Sequence, residues 1–474
     1  MAFPRQALVA AFTAVAAWTL AAPIAAAQSL IRDTEIEAII RSQFDPVLMA
    51  SGLNPRDVRV VIVNDNTLNA FATQGQIIGV NTGLIIEAET PNQLLGVLAH
   101  EAGHVSGGHA VRNEMQQAGT APFILTAGLG VLAALAGAPS AGAALLANST
   151  YFGALGALGY SRTQEGAADQ AAVTALERAG LSSEGLVEFF DNYRYQEVFS
   201  EDRRFPFFRS HPLSSDRIEA LRARVANQRH RGVRDTPEAM ANHRLIKAKL
   251  SAFLNPPTQT LRTYPETDTS FEARYARAIA WYRATEIPTA LTQIDALLVD
   301  HPENAYLWEL KGQVLFEAGR AAEAVPAHAK SVELNPDAAL LRINHAQALI
   351  ATGVAANIDA AIQELDRANA LEPRNPLSWR LMSEAYGARG EEGPARLASA
   401  EYHDALGDRN QARIFALRAR ERLERGSPQW VRAVDIAMQG GVTDDDFRVL
   451  DSDAAARTPP PAPRPAAPPP SGGG

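Results

Sequence analysis

A proline recurs at nearly constant intervals in the second half of the chain, and this recurrence limits the fold more than any other feature. Pro302, Pro336 and Pro373 are separated by 34 and 37 residues, and the sequence between them is rich in alanine and leucine. A period of this length is typical of helix pairs that each bury one face against the next pair. We therefore expect a curved helical solenoid, with a plain helical bundle as the alternative.

Other residues keep the same register within these intervals. Trp308 and Trp379 each follow one of the prolines by six residues, and Gly312 and Ala324 fall at the offsets of a tetratricopeptide repeat. We count about four such repeats. Solenoids of this kind present a concave surface to proteins or peptides, so we expect a binding role for this region.

The first 27 residues have the composition of a targeting segment. Arg5 is followed by an apolar, alanine-rich run that ends in three alanines at 25–27, a small-residue cleavage site. This pattern predicts a secretory signal peptide and a mature chain that begins near Gln28. A membrane anchor is the alternative.

The overall composition excludes several kinds of function. The formal net charge is -9, whereas a nucleic-acid-binding protein would present a basic face. The chain has no cysteine, which excludes disulfides, thiol catalysis and cysteine-ligated zinc or iron–sulfur sites. Any bound metal must therefore be held by histidine, aspartate or glutamate.

One predicted helix has the spacing of a metal site. Thr90 and Pro91 suit the cap and the first turn of a helix, and residues 100–104 within it read His-Glu-Ala-Gly-His. Four residues advance a helix by about 400°, so both imidazoles lie on one face and can bind one zinc ion. Glu101 lies beside them, where it can accept a proton from an attacking water. Gly103 costs about 1 kcal/mol relative to alanine, which suggests close packing against a neighbour.

A second predicted helix, rich in small residues, supplies two carboxylates. Glu165 and Asp169 are four residues apart and share one face. A catalytic zinc needs three protein ligands, so Glu165 can complete a set with His100 and His104. Asp169 can accept the N–H of a ligating histidine. Two carboxylates at this spacing are by themselves more often a solvated face; together with the first helix they favour a metal site.

These two motifs resemble those of the zinc metallopeptidases of the CAAX prenyl protease and HtpX type, and the resemblance covers roughly residues 33–224. It implies a gluzincin-type α+β domain, mostly helical with a small β-sheet, that binds one Zn²⁺ per chain. His100, His104 and Glu165 are implied as the zinc ligands. Glu101 is implied as the general base, and Asp169 as a supporting or proton-donating residue.

Two further histidines, His109 and His211, lie close to or downstream of these motifs. His109 would lie about 140° around the helix from His104, so we expect a surface or capping histidine there. His211 lies on a predicted loop before Pro212. It either caps the helix that follows or lies near the open zinc position. In the second case it stabilises the transition state or closes the metal in a latent form, as relatives of this type suggest.

A long uncharged stretch separates the two halves of the motif. No Asp, Glu, Lys or Arg occurs between Glu114 and Arg162. Prolines and glycines break it into pieces shorter than a comfortable span. We expect buried or membrane-contacting helices over the active site, with a hairpin in the membrane as the alternative.

These features divide the chain into six segments. They are a signal peptide at 1–27, a zinc metallopeptidase domain at 28–235, a helical connector at 236–265, tetratricopeptide repeats at 266–430, a short C-terminal segment at 431–456 and a disordered Pro-rich tail at 457–474. The fold class is thus an α+β metallopeptidase domain followed by an all-α solenoid.

Joined to a signal peptide and a solenoid, the resemblance implies a zinc metalloendopeptidase in the periplasm of a Gram-negative bacterium, with peripheral membrane contact. Its implied task is quality control of outer-membrane proteins, with chaperone-like activity. Unfolded or stalled outer-membrane proteins would be substrates, which the Ile77–Val80 strand could bind by strand addition, and the repeats would hold the client or the assembly machinery. One alternative is a binding scaffold with a latent or structural zinc site. A weaker one is an integral-membrane protease.

Overall fold

A computed structural model describes residues 29–109, 162–199, 211 and 215–457. The predicted signal peptide, the whole uncharged stretch between Glu114 and Arg162 and the tail from residue 458 lie outside these residues. Within the described ranges, no helix combines the length and the apolar character needed to cross a bilayer.

The N-terminal unit, residues 29–226, combines a small sheet with helices. Its strands are β1 (Ser29–Ile31), β2 (Arg59–Asn64), β3 (Ala70–Thr73) and β4 (Ile77–Asn81). Its helices are α1 (Thr34–Ala50), α2 (Thr82–Glu87), α3 (Pro91–Ser106), α4 (Arg162–Arg178), α5 (Glu184–Phe199) and α6 (Ser215–Ala226). One apolar core joins the sheet to α1, α3, α4 and α5.

The sheet has the strand order β1-β2-β4-β3. Strands β3 and β4 form a hairpin around Gly75, because they pair in antiparallel fashion. The prediction that Ile77–Val80 forms an open edge is wrong. That segment is the interior strand β4, which also pairs with β2 in parallel. A parallel pairing between distant strands leaves no local sequence signal, and it places β3 at the edge instead.

Helix α3 runs through the centre of the N-terminal unit. The Thr90 side chain accepts a hydrogen bond from the N–H of Gln93 (3.2 Å), and Gln93 accepts one from the N–H of Glu89 (3.0 Å). These bonds satisfy orphan N–H groups at the helix start, as the predicted cap requires. Nearly all of α3 is buried, since leucine, valine and alanine side chains surround its axis.

The rest of the described chain is helical. The connector contains α7 (Pro237–Leu254) and α8 (Pro257–Thr263). The solenoid, residues 271–439, contains α9 (Phe271–Arg283), α10 (Ile287–Asp300), α11 (Ala305–Glu317), α12 (Ala321–Leu334), α13 (Ala339–Ala351), α14 (Ala355–Leu371), α15 (Pro376–Ala388), α16 (Glu392–Ala405), α17 (Arg409–Arg420) and α18 (Pro428–Gln439). Helix α19 (Asp444–Arg457) follows it.

One hydrogen bond recurs in three successive repeats. Trp308 Nε1 donates to the carbonyl of Pro302 and Trp379 Nε1 to that of Pro373, both over 2.8 Å. In the repeat between them, Arg342 Nε donates to the carbonyl of Pro336, also over 2.8 Å. The register seen in the sequence is therefore a structural repeat. Four helix pairs, α9–α10 to α15–α16, lie within residues 266–430, and a further pair, α17–α18, ends at Gln439.

The solenoid folds back onto the start of the N-terminal unit. The Nζ atom of Lys249 in α7 lies 2.8 Å from Asp33 Oδ2 and 2.9 Å from Glu35 Oε2. The Tyr275 hydroxyl donates to Glu35 over 3.1 Å, and Glu35 is buried. Because a buried carboxylate is costly without partners, these bonds tie the connector and the first repeat to α1.

Candidate metal centre

Helix α3 presents three polar side chains to one point in the core. His100, Glu101 and His104 are completely buried. His100 Nε2 and His104 Nε2 are 3.1 Å apart, as expected for two imidazoles one helical turn apart that face the same point.

Helix α4 brings the predicted acidic partner to this point. Glu165 Oε2 lies 3.5 Å from His100 Nε2, and Glu165 Oε1 lies 3.4 Å from His104 Nε2. The approach depends on Gly103, because a Cβ atom there would lie 2.8 Å from the carbonyl oxygen of Ala168. The glycine thus has the close-packing role that its position in a helix suggested.

His211 completes the cluster. Its Nδ1 lies 2.9 Å from Glu165 Oε1 and 3.3 Å from His100 Nε2. One ligating atom from each of the four residues, His100, His104, Glu165 and His211, lies within 4.8 Å of the others. From the sequence, His211 could be either a helix-capping residue or a residue near the metal. In the structure it lies against the predicted ligands.

The donor set fits a single zinc ion. Ligand atoms bound tetrahedrally at about 2.0–2.2 Å from zinc are about 3.3–3.6 Å apart. Three distances within the cluster are close to this separation. The two Nε2 atoms of His100 and His104 are 3.1 Å apart, and the Glu165 carboxylate oxygens lie 3.4 Å from His104 Nε2 and 3.5 Å from His100 Nε2. Imidazole nitrogens with one carboxylate are ligands that zinc favours. A metal ion therefore requires little movement of these side chains.

The chain is similar to known peptidases over this unit. A model of peptidase family M48 matches residues 32–225. The metalloprotease LoiP of Escherichia coli K12 is 31% identical over 185 residues, which cover 38% of this chain and 67% of LoiP. The chain belongs to peptidase family M48.

Two relatives extend over the repeats as well. A putative beta-barrel assembly-enhancing protease of Vibrio cholerae is 26% identical over 382 residues, which cover 77% of this chain and 76% of the relative. The beta-barrel assembly-enhancing protease of Escherichia coli K12 is 25% identical over 379 residues, with 78% and 76% coverage. The M48 domain and the buried metal-binding cluster together make this chain a metallopeptidase.

A second layer of contacts orients the M48 site. Asp169 Oδ1 lies 2.9 Å from His100 Nδ1, which fixes the ring so that its Nε2 faces the cluster. Arg217 Nε lies 2.6 Å from Asp169 Oδ2, and Arg217 Nη1 lies 2.6 Å from Glu165 Oε2. One arginine thus holds both Glu165 and Asp169.

No spacing pattern in the sequence predicts Arg217 as a site residue. The residue lies in the first turn of α6, where the helix dipole disfavours a cation. That unfavourable position is a weak signal that a buried acid compensates it. The guanidinium also lies over the Phe190 ring, 5.2 Å from its centroid, which limits its movement.

Glu101 differs from the other acids of the cluster. Its carboxylate interacts with the backbone of Ala72, and the ring nitrogen His211 Nε2 lies 3.5 Å from its Oε1. Burial raises the pKa of this carboxyl above its ordinary value. A buried carboxylate held by so few contacts is suited to exchange a proton with a substrate or a water.

The charges of the ligand cluster are strongly coupled. Burial lowers the pKa of His100, but hydrogen bonds to Asp169 and Glu165 outweigh burial and raise that pKa to about 9. Burial also opposes ionisation of Glu165, yet hydrogen bonds with the three histidines hold its pKa far below its ordinary value. At His104 burial prevails, and the pKa falls well below its ordinary value. The site therefore holds a carboxylate together with at least one neutral imidazole, the forms that bind metal.

The expectation of a surface or capping role for His109 is wrong. His109 is buried, and its Nδ1 lies 3.0 Å from His104 Nδ1. The angle of about 140° between His104 and His109 holds only if α3 continues, but α3 ends at Ser106. Gly108 then adopts a positive φ of 63°, which turns the chain back toward His104. His109 thus orients His104 much as Asp169 orients His100.

Proposed function

We propose that this chain is a zinc metalloendopeptidase in which His100, His104 and Glu165 hold the ion. The observation that carries the proposal is the convergence of these buried side chains from two helices on one point, beside the carboxylate of Glu101. The peptidase domain then comprises residues 28–235, followed by the connector at 236–265 and the repeats from residue 266.

The chain's own residues supply the proton transfers. A metal ion held by His100, His104 and Glu165 would polarise the scissile carbonyl and lower the pKa of water to about 7. Glu101 accepts the proton of the attacking water and delivers it to the leaving amine. Asp169 and Arg217 keep the ligands in place, so that little reorganisation accompanies the reaction.

The test of this assignment is Glu101→Gln, measured for both metal content and casein cleavage. Glutamine keeps the size of the side chain but cannot accept the proton, so we expect bound zinc with at least about 100-fold slower cleavage. Glu219→Gln, on the exposed side of α6, is the matched control and should cleave normally. Undiminished cleavage by Glu101→Gln would remove the general base from the mechanism.

We further propose that His211 closes the site in a latent form. A catalytic zinc keeps one position open for water, and His211 Nδ1 occupies the place of a fourth ligand, 2.9 Å from Glu165 and 3.3 Å from His100. His211→Ala should therefore raise casein cleavage. Lost cleavage with retained metal would instead assign His211 to stabilisation of the transition state.

The substrates we propose are unfolded or stalled outer-membrane proteins in the periplasm, as the names of the full-length relatives suggest. A barrel strand is extended, and strand addition needs a sheet edge beside the metal centre. Strand β3 has that position. Asn81 donates to the carbonyl of Asn69 (2.9 Å), so alternation turns the N–H and C=O of Ala70 away from β4. The repeats would hold the client or the assembly machinery.

A binding scaffold with a permanently closed zinc site is the second candidate, and the contacts of His211 favour it. Removal of the metal by a chelator distinguishes the two. A peptidase loses turnover while its melting temperature changes little, whereas a structural-zinc protein melts at a clearly lower temperature.

A further inference from the structure

An arginine-rich cavity lies where the solenoid meets the N-terminal unit. Its volume is about 720 Å³, which is in the range of small-molecule sites. It shares no lining residue with the four-residue metal cluster. The arginines that line it are Arg32, Arg41, Arg56, Arg59 and Arg374.

Two of these arginines are engaged in holding the fold. Arg32 pairs with Glu37 at 2.7 Å and with Glu372, beyond the end of α14, at 2.9 Å. Arg41 pairs with Asp45 at 2.8 Å and donates to the carbonyl of Val58. Their charges are therefore already compensated by the protein.

The other three arginines have no such compensation. Arg56, Arg59 and Arg374 are exposed, and none forms an ion pair within the part of the chain that the structure describes. Arg374 donates only to the backbone carbonyl of Asp404, over 3.3 Å. Five arginines line the cavity together with two acids, Glu37 and Glu372. Asp45 lies outside the lining and pairs with Arg41, so two positive charges remain unbalanced among these groups.

The remaining lining is largely apolar. Ile40 of α1 and the residues Val58, Val60 and Ile62 at and along β2 line the cavity from the N-terminal unit. Leu371, which is 43% exposed, lines it from the end of α14. A ligand that bound here would meet guanidinium groups and an apolar surface together, a combination that suits an anion with an apolar body.

We propose that this cavity binds an organic phosphate, with the phosphate group on Arg56, Arg59 and Arg374 and the apolar body on the β2 side. A phosphate monoester carries a charge of about −1.5 to −2 and three acceptor oxygens, which matches the unbalanced charge. A carboxylate would neutralise only half of it. Guanidinium groups also bind phosphate through paired hydrogen bonds. Anionic lipid headgroups and soluble organic phosphates share this chemistry.

The ligand would contact both units of the molecule. Arg56 and Arg59 belong to the N-terminal unit, whereas Arg374 belongs to the loop between α14 and α15. The Arg32–Glu372 ion pair connects the units directly at this place. A bound phosphate adds a second bridge, so binding stabilises the contact between the peptidase unit and the solenoid.

Calorimetric titration of the full-length protein tests the proposal, with hexyl phosphate, inorganic phosphate, hexanoate and a tetraglutamate peptide as probes. Hexyl phosphate should bind most tightly, and its affinity should fall as salt is added. Arg59→Gln/Arg374→Gln should weaken that affinity at least about tenfold. The matched control Arg234→Gln/Arg262→Gln removes two exposed charges outside the cavity and should bind as wild type does.

Flotation with vesicles distinguishes the two sources of the phosphate. Binding to phosphatidylcholine vesicles that contain phosphatidic acid, lost in the Arg59→Gln/Arg374→Gln protein but not in the control, assigns the site to lipid. Binding of hexyl phosphate without flotation assigns it to soluble phosphates. The proposal is overturned if no phosphate probe saturates, if the two double variants bind hexyl phosphate equally, or if hexanoate or the peptide binds more tightly.

Discussion

Buried histidines occur in both halves of this molecule, but their surroundings are opposite. In the M48 unit, His100, His104 and His211 have ring nitrogens within 3.5 Å of Glu165 or Asp169. In the solenoid, His328 is as deeply buried, yet its Nδ1 has no hydrogen-bond partner among the residues that the structure describes, and its ring packs against Gly312. Burial of a histidine is therefore not sufficient evidence for a metal site.

The two environments shift the pKa of the buried histidine in opposite directions. Without an acid nearby, burial lowers the pKa of His328 to about 4, so this ring is a neutral packing element. Beside two carboxylates, the pKa of His100 rises to about 9 despite complete burial. Such a ring is held in a polar cluster that can exchange a proton for a metal ion. The first environment stabilises a repeat; the second prepares a reaction.

The largest effect that separates the two kinds of histidine is on metal binding. His100→Ala removes a proposed ligand and should lower zinc affinity by more than about 100-fold, the upper range for loss of a partner that only supports a ligand. His328→Ala should leave the zinc content unchanged, because no carboxylate accompanies this ring. Metal analysis after dialysis against a weak chelator measures both. Equal zinc content in the two variants would erase the distinction.

The second effect is on stability in acid. Folded protein keeps His328 neutral down to a pH of about 4, whereas the unfolded chain protonates it near its ordinary pKa of 6.5. The unfolded state thus binds more protons between these pH values, so stability falls by roughly 3 kcal/mol as the pH drops from 6.5 to 4.

Chemical unfolding at pH 7 and at pH 5 checks this expectation. His328→Gln should show a smaller loss of unfolding free energy between the two pH values than the wild type. His301→Gln is the control, since His301 is exposed and should leave the wild-type loss unchanged. Identical losses in all three proteins would show that His328 does not stay neutral through burial.

The third effect concerns the contacts that orient a ligand. Asp169→Asn keeps the shape of the side chain but removes the charge that pairs with His100 and Arg217. Zinc affinity should fall by about 10–100-fold, less than on loss of a ligand. Asp300→Asn, half exposed in the solenoid and paired with Arg274, is the control and should bind zinc normally. A normal affinity for Asp169→Asn would mean that Arg217 alone fixes the site.

Features that depend on local helix geometry could be predicted from the sequence. The spacing of His100 and His104, the Thr90 cap and the 34-residue period each depend on local helix geometry, which a helix reproduces wherever it lies. The close packing at Gly103 could also be anticipated, because a glycine inside a helix has a cost that something must offset.

Features that depend on tertiary contacts could not be predicted. The parallel pairing of β2 with β4 joins strands that are not adjacent along the chain, and it moves the edge of the sheet to β3. The role of His109 follows from the turn at Gly108, which breaks the helical wheel on which the prediction relied. The contact of Arg217 with Glu165 and Asp169 joins residues about 50 positions apart, and no spacing rule covers that distance.

The smallest effect compares two glycines inside helices. In α3, a Cβ at position 103 would lie 2.8 Å from the Ala168 carbonyl oxygen and 3.0 Å from its Cα, both backbone atoms that cannot turn aside. Gly103→Ala should therefore push α4 away, which costs about 1–3 kcal/mol of unfolding free energy and lowers zinc affinity through displacement of Glu165.

In α15 of the solenoid, a Cβ on exposed Gly387 would meet nothing within 4 Å. Gly387→Ala should stabilise the protein by about 0.5–1 kcal/mol. Chemical unfolding of both variants measures the contrast, and a gain for Gly103→Ala would show that the two metal-binding helices are not held in contact by that glycine.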